Sequence, residues 1–167
     1  PVDIPVADRT PADRWIIQRF TDTLAQVDGF LTGFDPSQAA RALYGFFWND
    51  FCDWYIEMAK PRMQPGAADQ PALKQTLVEI LDGILRALHP IMPFITEELW
   101  QTLWTDLGSK PTGSLMEGPY ERPWTGPLAT SNDMRAIALV QETVTAIRTI
   151  RSEMNVPPGK QIKVIVN

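Results

Sequence analysis

Between Pro36 and Pro61 the chain carries apolar residues on two sides of a helix at once. Ala40, Leu43, Phe47, Phe51, Trp54 and Met58 recur at steps of three and four as one stripe, and Tyr44, Trp48 and Tyr55 make a second. A helix that is apolar on two sides must be covered on two sides, so this segment is expected to be the central member of a helical bundle. Its start is also written in the sequence. In Asp35-Pro36-Ser37-Gln38 the Asp caps the helix, Pro fills its first position and Gln follows three residues after the cap, a capping-box pattern.

Three further segments supply partners. Ile17, Phe20, Leu24, Val27 and Leu31 form the stripe of a first helix, with Arg14, Gln18, Thr21 and Asp28 on the opposite side and Gly33 as its C-terminal glycine. A third helix places Leu73, Leu77, Ile80, Ile84 and Leu88 on one face after the loop 64–71. It then meets Pro90 and Pro93, which lack the backbone donor and clash with the preceding turn, so it must kink or break there. Helical spacing resumes over 94–107, where Phe94, Leu99 and Trp100 are expected to be buried as this half wraps the bundle end. The fourth helix, about Ser131 to Glu153, turns Ile137, Val140, Val144 and Ile147 inward. Residues 108–130 form a Gly/Pro-rich connection, and Lys160 to Val166 alternate like a strand, whose partner is either Ser114–Glu117 or absent. The fold class expected is therefore mainly all-α: about four helices, the third kinked, with a short C-terminal β-strand. The bundle occupies residues 1–153, and residues 154–167 lead into a downstream segment. A start at Pro rather than Met and a lone strand at the end read as a piece of a longer protein.

Composition narrows the chemistry. At 44% apolar and 21% charged the chain is ordinary globular material, and a net charge of -5 argues against a general charge-driven coat for nucleic acid. Ten of the fifteen cations are nevertheless Arg, the side chain suited to phosphate and base edges. The single cysteine, Cys52, excludes a disulfide framework and reads as a small buried hydrophobe. The single histidine, His89, reads as a buried, singly bonded residue rather than a general base. No glycine-rich phosphate loop is present. Asp50, Asp53 and Glu57 share a helix face, but a dinuclear site would need Glu-x-x-His motifs on partner helices, so no metal site and no catalytic residue is assigned. Nothing resembles a signal peptide or a membrane span, and the cytoplasm is the expected location.

Most of the aromatic residues fall on inward stripes. The exceptions are Phe30 and Phe34, at the corner between the first two helices, and Trp124, in the long loop. Arg14, Arg19 and Arg41 lie on or beside outward faces of the same helix pair. A helix start with nearby Arg and a free aromatic suits an RNA loop, through backbone dipole, charge and stacking together; a solvated face fits the same spacing.

Longer phrases add a resemblance. Asp13-Arg14-Trp15-Ile16-Ile17, Phe51-Cys52-Asp53-Trp54-Tyr55-Ile56-Glu57 with Lys60-Pro61, His89-Pro90-Ile91-Met92-Pro93-Phe94-Ile95-Thr96-Glu97-Glu98-Leu99-Trp100, and the run from Ile147 through Met154-Asn155-Val156-Pro157-Pro158-Gly159-Lys160 occur in this order. Together they resemble the anticodon-binding helical domain of the valyl-tRNA synthetase family of class I aminoacyl-tRNA synthetases, over roughly residues 10–166. The family's His-Ile-Gly-His and Lys-Met-Ser-Lys-Ser signatures are absent, as are its editing domain, its coiled coil and a helix with an Asn-Lys-Leu-Trp-Asn type phrase. The resemblance implies an anticodon-recognition module for tRNA(Val), reading mainly the middle adenine and third cytosine. Aminoacylation, with ATP and Mg, would be carried by a catalytic domain of the parent enzyme that packs with this one, and no cofactor is expected in the chain itself. From their spacing, the residues expected to bind RNA are Phe34 for stacking and Arg14, Gln18, Arg19 and Arg41 for phosphate or base edges. Arg148 and Arg151 either meet RNA backbone or brace the strand, the brace being preferred. The absent helix would leave a groove through which copies of the chain associate. The alternative expectation is a helical protein–protein interaction module without RNA binding, and a bundle enzyme with a metal is a more distant one.

Overall fold

The computed structural model describes residues 3–64, 66–67, 69–118, 124, 128–157 and 159–163. Helix α1 (Pro11–Thr32) begins at a reciprocal cap: the Thr10 side chain accepts from the Asp13 N–H, and the Asp13 carboxylate accepts from the Thr10 N–H at 3.1 Å. Helix α2 (Pro36–Gly45) starts at Asp35, as its sequence requires, and runs on through a π-helical stretch (Phe46–Ile56), one α turn (Glu57–Ala59) and a 3-10 turn (Lys60–Met63). These pieces form one rod. Helix α3 (Gln70–Leu88), helix α4 (Pro93–Asp106) and helix α5 (Ser131–Glu153) complete the bundle.

The central helix is α1 rather than the second rod. It packs on α2, the π-helical stretch, α3 and α5. Trp15, Ile16, Ile17, Phe20, Leu24 and Val27 are all buried, a wider arc than one stripe. Against them lie Leu43, Phe46, Phe51 and Tyr55 of the rod, Leu73, Ile80 and Ile84 of α3, and Ile137 of α5. Fully burying each large apolar side chain contributes about 1.5–3 kcal/mol, so this shared core holds the four elements together. Within this core α1 and α3 approach tightly at Gly83, where a Cβ would stand 2.5 Å from Cε1 of Phe20.

Several expectations change. The third helix does not merely kink. His89–Met92 is a turn and Pro93 opens a separate helix, because Pro90 and Pro93 both remove donors that a continuous helix needs. Trp100 is buried, but Phe94 is 91% exposed and Leu99 half exposed, so α4 wraps less of the bundle end than its spacing implies. Val140 also faces outward. In the second rod Tyr55 is buried while Tyr44 and Trp48 are exposed, so the second stripe does not form one covered face. The π-helical stretch takes more residues per turn, and the 3.6-residue phase lapses across it. Lys160–Lys163 carry no strand and are exposed; Val164 to Val166 lie outside the described residues. The proposed partner segment instead forms a 3-10 turn, Leu115–Glu117, and so offers no extended edge for pairing. Trp124 is packed rather than free: it meets Phe20 edge-on at 5.8 Å and donates its indole N–H to Glu79.

Buried carboxylates tie the helices. Asp13 is fully buried and accepts two hydrogen bonds from Arg62, each 2.8 Å, and one from the Tyr55 hydroxyl at 2.5 Å. At the other end Asp82 accepts from Arg86 on its own helix and from the indole N–H of Trp100 and Trp104 on α4. Burial raises the Asp13 carboxyl, but the hydrogen bonds from Arg62, Tyr55 and Thr10 outweigh it and hold the group below the usual carboxylate range. Burial acts on Asp82 in the same sense and is likewise outweighed, by Arg86 and the two indoles. A carboxyl depressed on folding adds stability that is complete above its unfolded value, near pH 4, and is lost as pH falls through the lower folded value. Asp13→Asn is therefore expected to cost about 3–5 kcal/mol at neutral pH, since it leaves Arg62 without its buried counter-charge. It should also lessen the loss of stability between about pH 4 and pH 2. Urea unfolding of both proteins across that range measures both effects.

Candidate nucleic-acid interface

The corner between α1 and α2 is built by an unusual helix ending. Asp35 N–H donates to the Phe30 carbonyl at 2.8 Å and Phe34 N–H to the Leu31 carbonyl at 3.0 Å, the two bonds of a Schellman motif. Such a motif needs one residue in the left-handed region after the cap. Gly33 is the cap, with φ -79°, so the left-handed place falls to Phe34, with φ 57°. A Phe there bears a steric cost of about 1–2 kcal/mol that glycine would avoid. Its ring is also 93% exposed. Strain and exposure thus coincide on one aromatic side chain.

Arg41 is exposed on α2 and makes no hydrogen bond or ion pair with a described residue; its charge contributes to lowering the Asp35 carboxyl. The larger causes of that lowering are the Ser37 hydroxyl and the Gln38 N–H. The Asp35 carboxylate thus caps the start of α2, so charge and stacking rather than the helix dipole are what this corner offers a ligand.

The other sequence-derived positions are engaged inside the bundle. Arg14 donates to both oxygens of Asp133 at 2.9 and 2.7 Å and to the carbonyls of Ala7 and Arg9, joining the start of α1 to the cap of α5. Hydrogen bonds from Arg14 first, against a smaller effect of burial, hold the Asp133 carboxyl far below the usual range. Arg19 pairs with Asp50 at 3.0 Å, and Gln18 donates to Asp22. Phe34 is thus exposed at the end of α1 and Arg41 is exposed further along on α2, whereas Arg14, Gln18 and Arg19 are in intramolecular contacts. Arg148 lies over the Trp54 ring at 5.8 Å, and Arg151 donates to the carbonyls of Pro157 and Lys160. Both are braces.

Tyr44 and Trp48, 67% and 48% exposed, lie further along the same rod and were missed because their spacing fits an inward stripe. A usable signal was there: Arg41, Tyr44 and Trp48 are three and four residues apart, so a charged residue shares their face.

Elsewhere the chemistry is sparse. His89 accepts from or donates to the Thr96 hydroxyl through Nδ1 at 2.8 Å, and its Nε2 is buried without a partner among the described residues. Burial, then the Asp53 charge, pushes the half-buried Cys52 thiol up, away from the thiolate that nucleophilic chemistry needs. Asp50 pairs with Arg19 and Glu57 with Lys60. Among the described residues no three of His, Cys, Asp and Glu gather as a metal site, and no helix is long and apolar enough to cross a membrane.

The family described as the anticodon-binding domain of tRNA ligase matches residues 13–166. The chain belongs to that family. Among its relatives are the valine–tRNA ligases of Geobacter sulfurreducens, 40% identical over 168 residues, Thermotoga maritima, 37% over 164, and Neisseria meningitidis, 37% over 155. The matches cover 99%, 98% and 92% of this chain but 18%, 18% and 16% of those ligases, so the chain spans less than a fifth of their length. The helical bundle, with Phe34 exposed at its α1–α2 corner, leaves two separable classes of side chain. Arg14→Ala is expected to lower stability by roughly 1–3 kcal/mol, through loss of charged hydrogen bonds to a nearly buried Asp133. Arg41→Ala should change it by less than about 0.5 kcal/mol. Phe34→Gly should raise it by about 0.5–1 kcal/mol by relieving the left-handed strain. Thermal melts of the three variants decide this.

Proposed function

We propose that the chain is the anticodon-recognition module of a valine–tRNA ligase, and that the α1–α2 corner receives the anticodon loop of tRNA(Val). The observation that carries the reading is Phe34: a presented ring held in a strained backbone state, just before the helix on which Arg41 makes no hydrogen bond or ion pair with a described residue. Backbone strain at an exposed side chain persists where it serves a ligand, and an unstacked loop base is the ligand whose flat face such a ring matches. Arg41 then meets phosphate or a base edge. Arg14, Gln18 and Arg19 act one step back, fixing the helices that present the corner.

In this reading the module contributes binding energy and no bond-making. A docked anticodon orients the acceptor end toward a catalytic domain elsewhere on the parent ligase, and a wrong anticodon forfeits part of that positioning. Valine, ATP and Mg belong to that other domain, and the enzyme works in the cytoplasm. The rival role as a protein–protein module gains no specific observation from this corner, where a cation adjoins the rings.

A filter-binding titration with a tRNA(Val) transcript and a transcript altered at the middle anticodon base tests the proposal. The unaltered transcript should bind the chain more tightly. Phe34→Ala should weaken it by roughly 5- to 100-fold, the range for losing one base–aromatic stack. Equal affinity for both transcripts, with no effect of Phe34→Ala or Arg41→Ala, would sink the reading.

A further inference from the structure

We propose that Tyr44 and Trp48 form a second base-binding subsite, a jaw that admits one unpaired base of the same loop next to the one on Phe34; the inference rests on the anticodon-loop reading above. Arg41 and Tyr44 lie one turn apart on α2, and the Tyr44 ring adjoins the ring of Trp48 at the start of the π-helical stretch, so the two rings follow the cation along the rod. The two ring centroids stand 6.2 Å apart and their planes open at 55°. A base sandwiched between two rings needs about 3.4 Å on each side, or about 6.8 Å between them. The planes must also become nearly parallel, so the exposed Tyr44 ring has to swing well away from its present tilt against Trp48 to admit a base.

The jaw has one fixed side and one free side. Phe47 meets Trp48 edge-on at 5.4 Å. Phe47 in turn stacks on Phe51, and Phe51 on Tyr55, whose hydroxyl is held by buried Asp13. The indole of Trp48 therefore stands at the end of a column anchored in the core, whereas Tyr44 is the more exposed partner. Polar groups tell the same way. Trp100, Trp104, Trp124 and Tyr55 direct their N–H or O–H groups to carboxylates inside the bundle. The Tyr44 hydroxyl and Trp48 indole N–H have no hydrogen-bond partner among the described residues and remain available to a base edge. The adjacent cation favours a nucleotide over an apolar protein surface.

The test uses a hairpin with the tRNA(Val) anticodon loop, carrying 2-aminopurine at each loop position in turn, titrated with the 167-residue chain. One loop position beyond that governed by Phe34 should be quenched on binding. Tyr44→Ala and Trp48→Ala should each weaken the hairpin by roughly 5- to 100-fold and abolish that quench, whereas Trp48→Phe, which keeps a stacking face, should retain most of both. Circular dichroism melts confirm that the variants fold. If Phe34→Ala and Arg41→Ala weaken binding while Tyr44→Ala and Trp48→Ala change neither affinity nor quench, the jaw is refuted and the anticodon-loop reading survives. If none of the four matters, both are refuted. A shift of oligomeric state on Trp48→Ala in sedimentation, with RNA affinity unchanged, makes this face a protein contact and equally overturns the jaw.

Discussion

The bundle depends on one buried carboxylate. Asp13 sits in the first turn of α1 with no solvent exposure, caps its own helix through Thr10, and takes hydrogen bonds from Tyr55 and Arg62 near the end of the second rod. Arg62 also reaches Asp69, just before α3. A buried ion pair is costly to desolvate, and well-packed apolar residues often stabilise as much. What the pair adds here is register. The buried arc of α1 is broad and oily, and oil alone tolerates sliding and rotation. A bidentate bond to a single carboxylate does not. The next residue, Arg14, extends the constraint to α5 through Asp133, so one turn of α1 sets the places of three other elements.

Asp82 repeats this arrangement around the turn at Pro90. Two tryptophans of α4 and an arginine of α3 converge on it, and Arg86 also stacks on Trp100 with its carbon 5.5 Å from the ring centre. The helix broken by two prolines is therefore fastened at its side rather than through its backbone. Much of the arginine content answers acids within the fold in the same manner. Arg9 pairs with Glu79, Arg14 with Asp133, Arg19 with Asp50, Arg62 with Asp13 and Asp69, and Arg86 with Asp82.

These pairings explain what was legible in the sequence and what was not. Helical period, the cap at Asp35 and the donor-poor prolines are local properties, readable within a few residues, and they place the helices correctly. Arg14 and Asp133 are 119 residues apart and Arg19 and Asp50 are 31 apart, so nothing local shows that these cations are already answered. Gly33 drew the helix ending toward itself because glycine is the usual left-handed residue, yet the hydrogen bonds put Phe34 there. The outward turn of Tyr44 and Trp48 was hidden by a period of 3.6 applied up to and across a π-helical stretch where it fails. Phe34 was legible for a different reason: it stands between two helices, where no stripe claims it.

With most cations committed, the free face must work by a different balance of forces than a basic RNA-binding surface. Among the described arginines only Arg41 and Arg135 make no hydrogen bond, ion pair or ring contact with a described residue, and Arg41 lies one turn before Tyr44 on α2. Each phosphate neutralised adds a fixed increment to the salt dependence of binding, so a face with one cation gains little from counterion release. In the proposed reading its affinity comes from the faces of Phe34, Tyr44 and Trp48. Paired bases in an A-form stem are already stacked on each other and present no such surface, whereas loop bases do. In the proposed reading a chain of net charge -5 is a poor partner for duplex nucleic acid and depends on the open bases of a loop. The internal pairing that fixes the helices and the selectivity of the surface are then consequences of one allocation of charge.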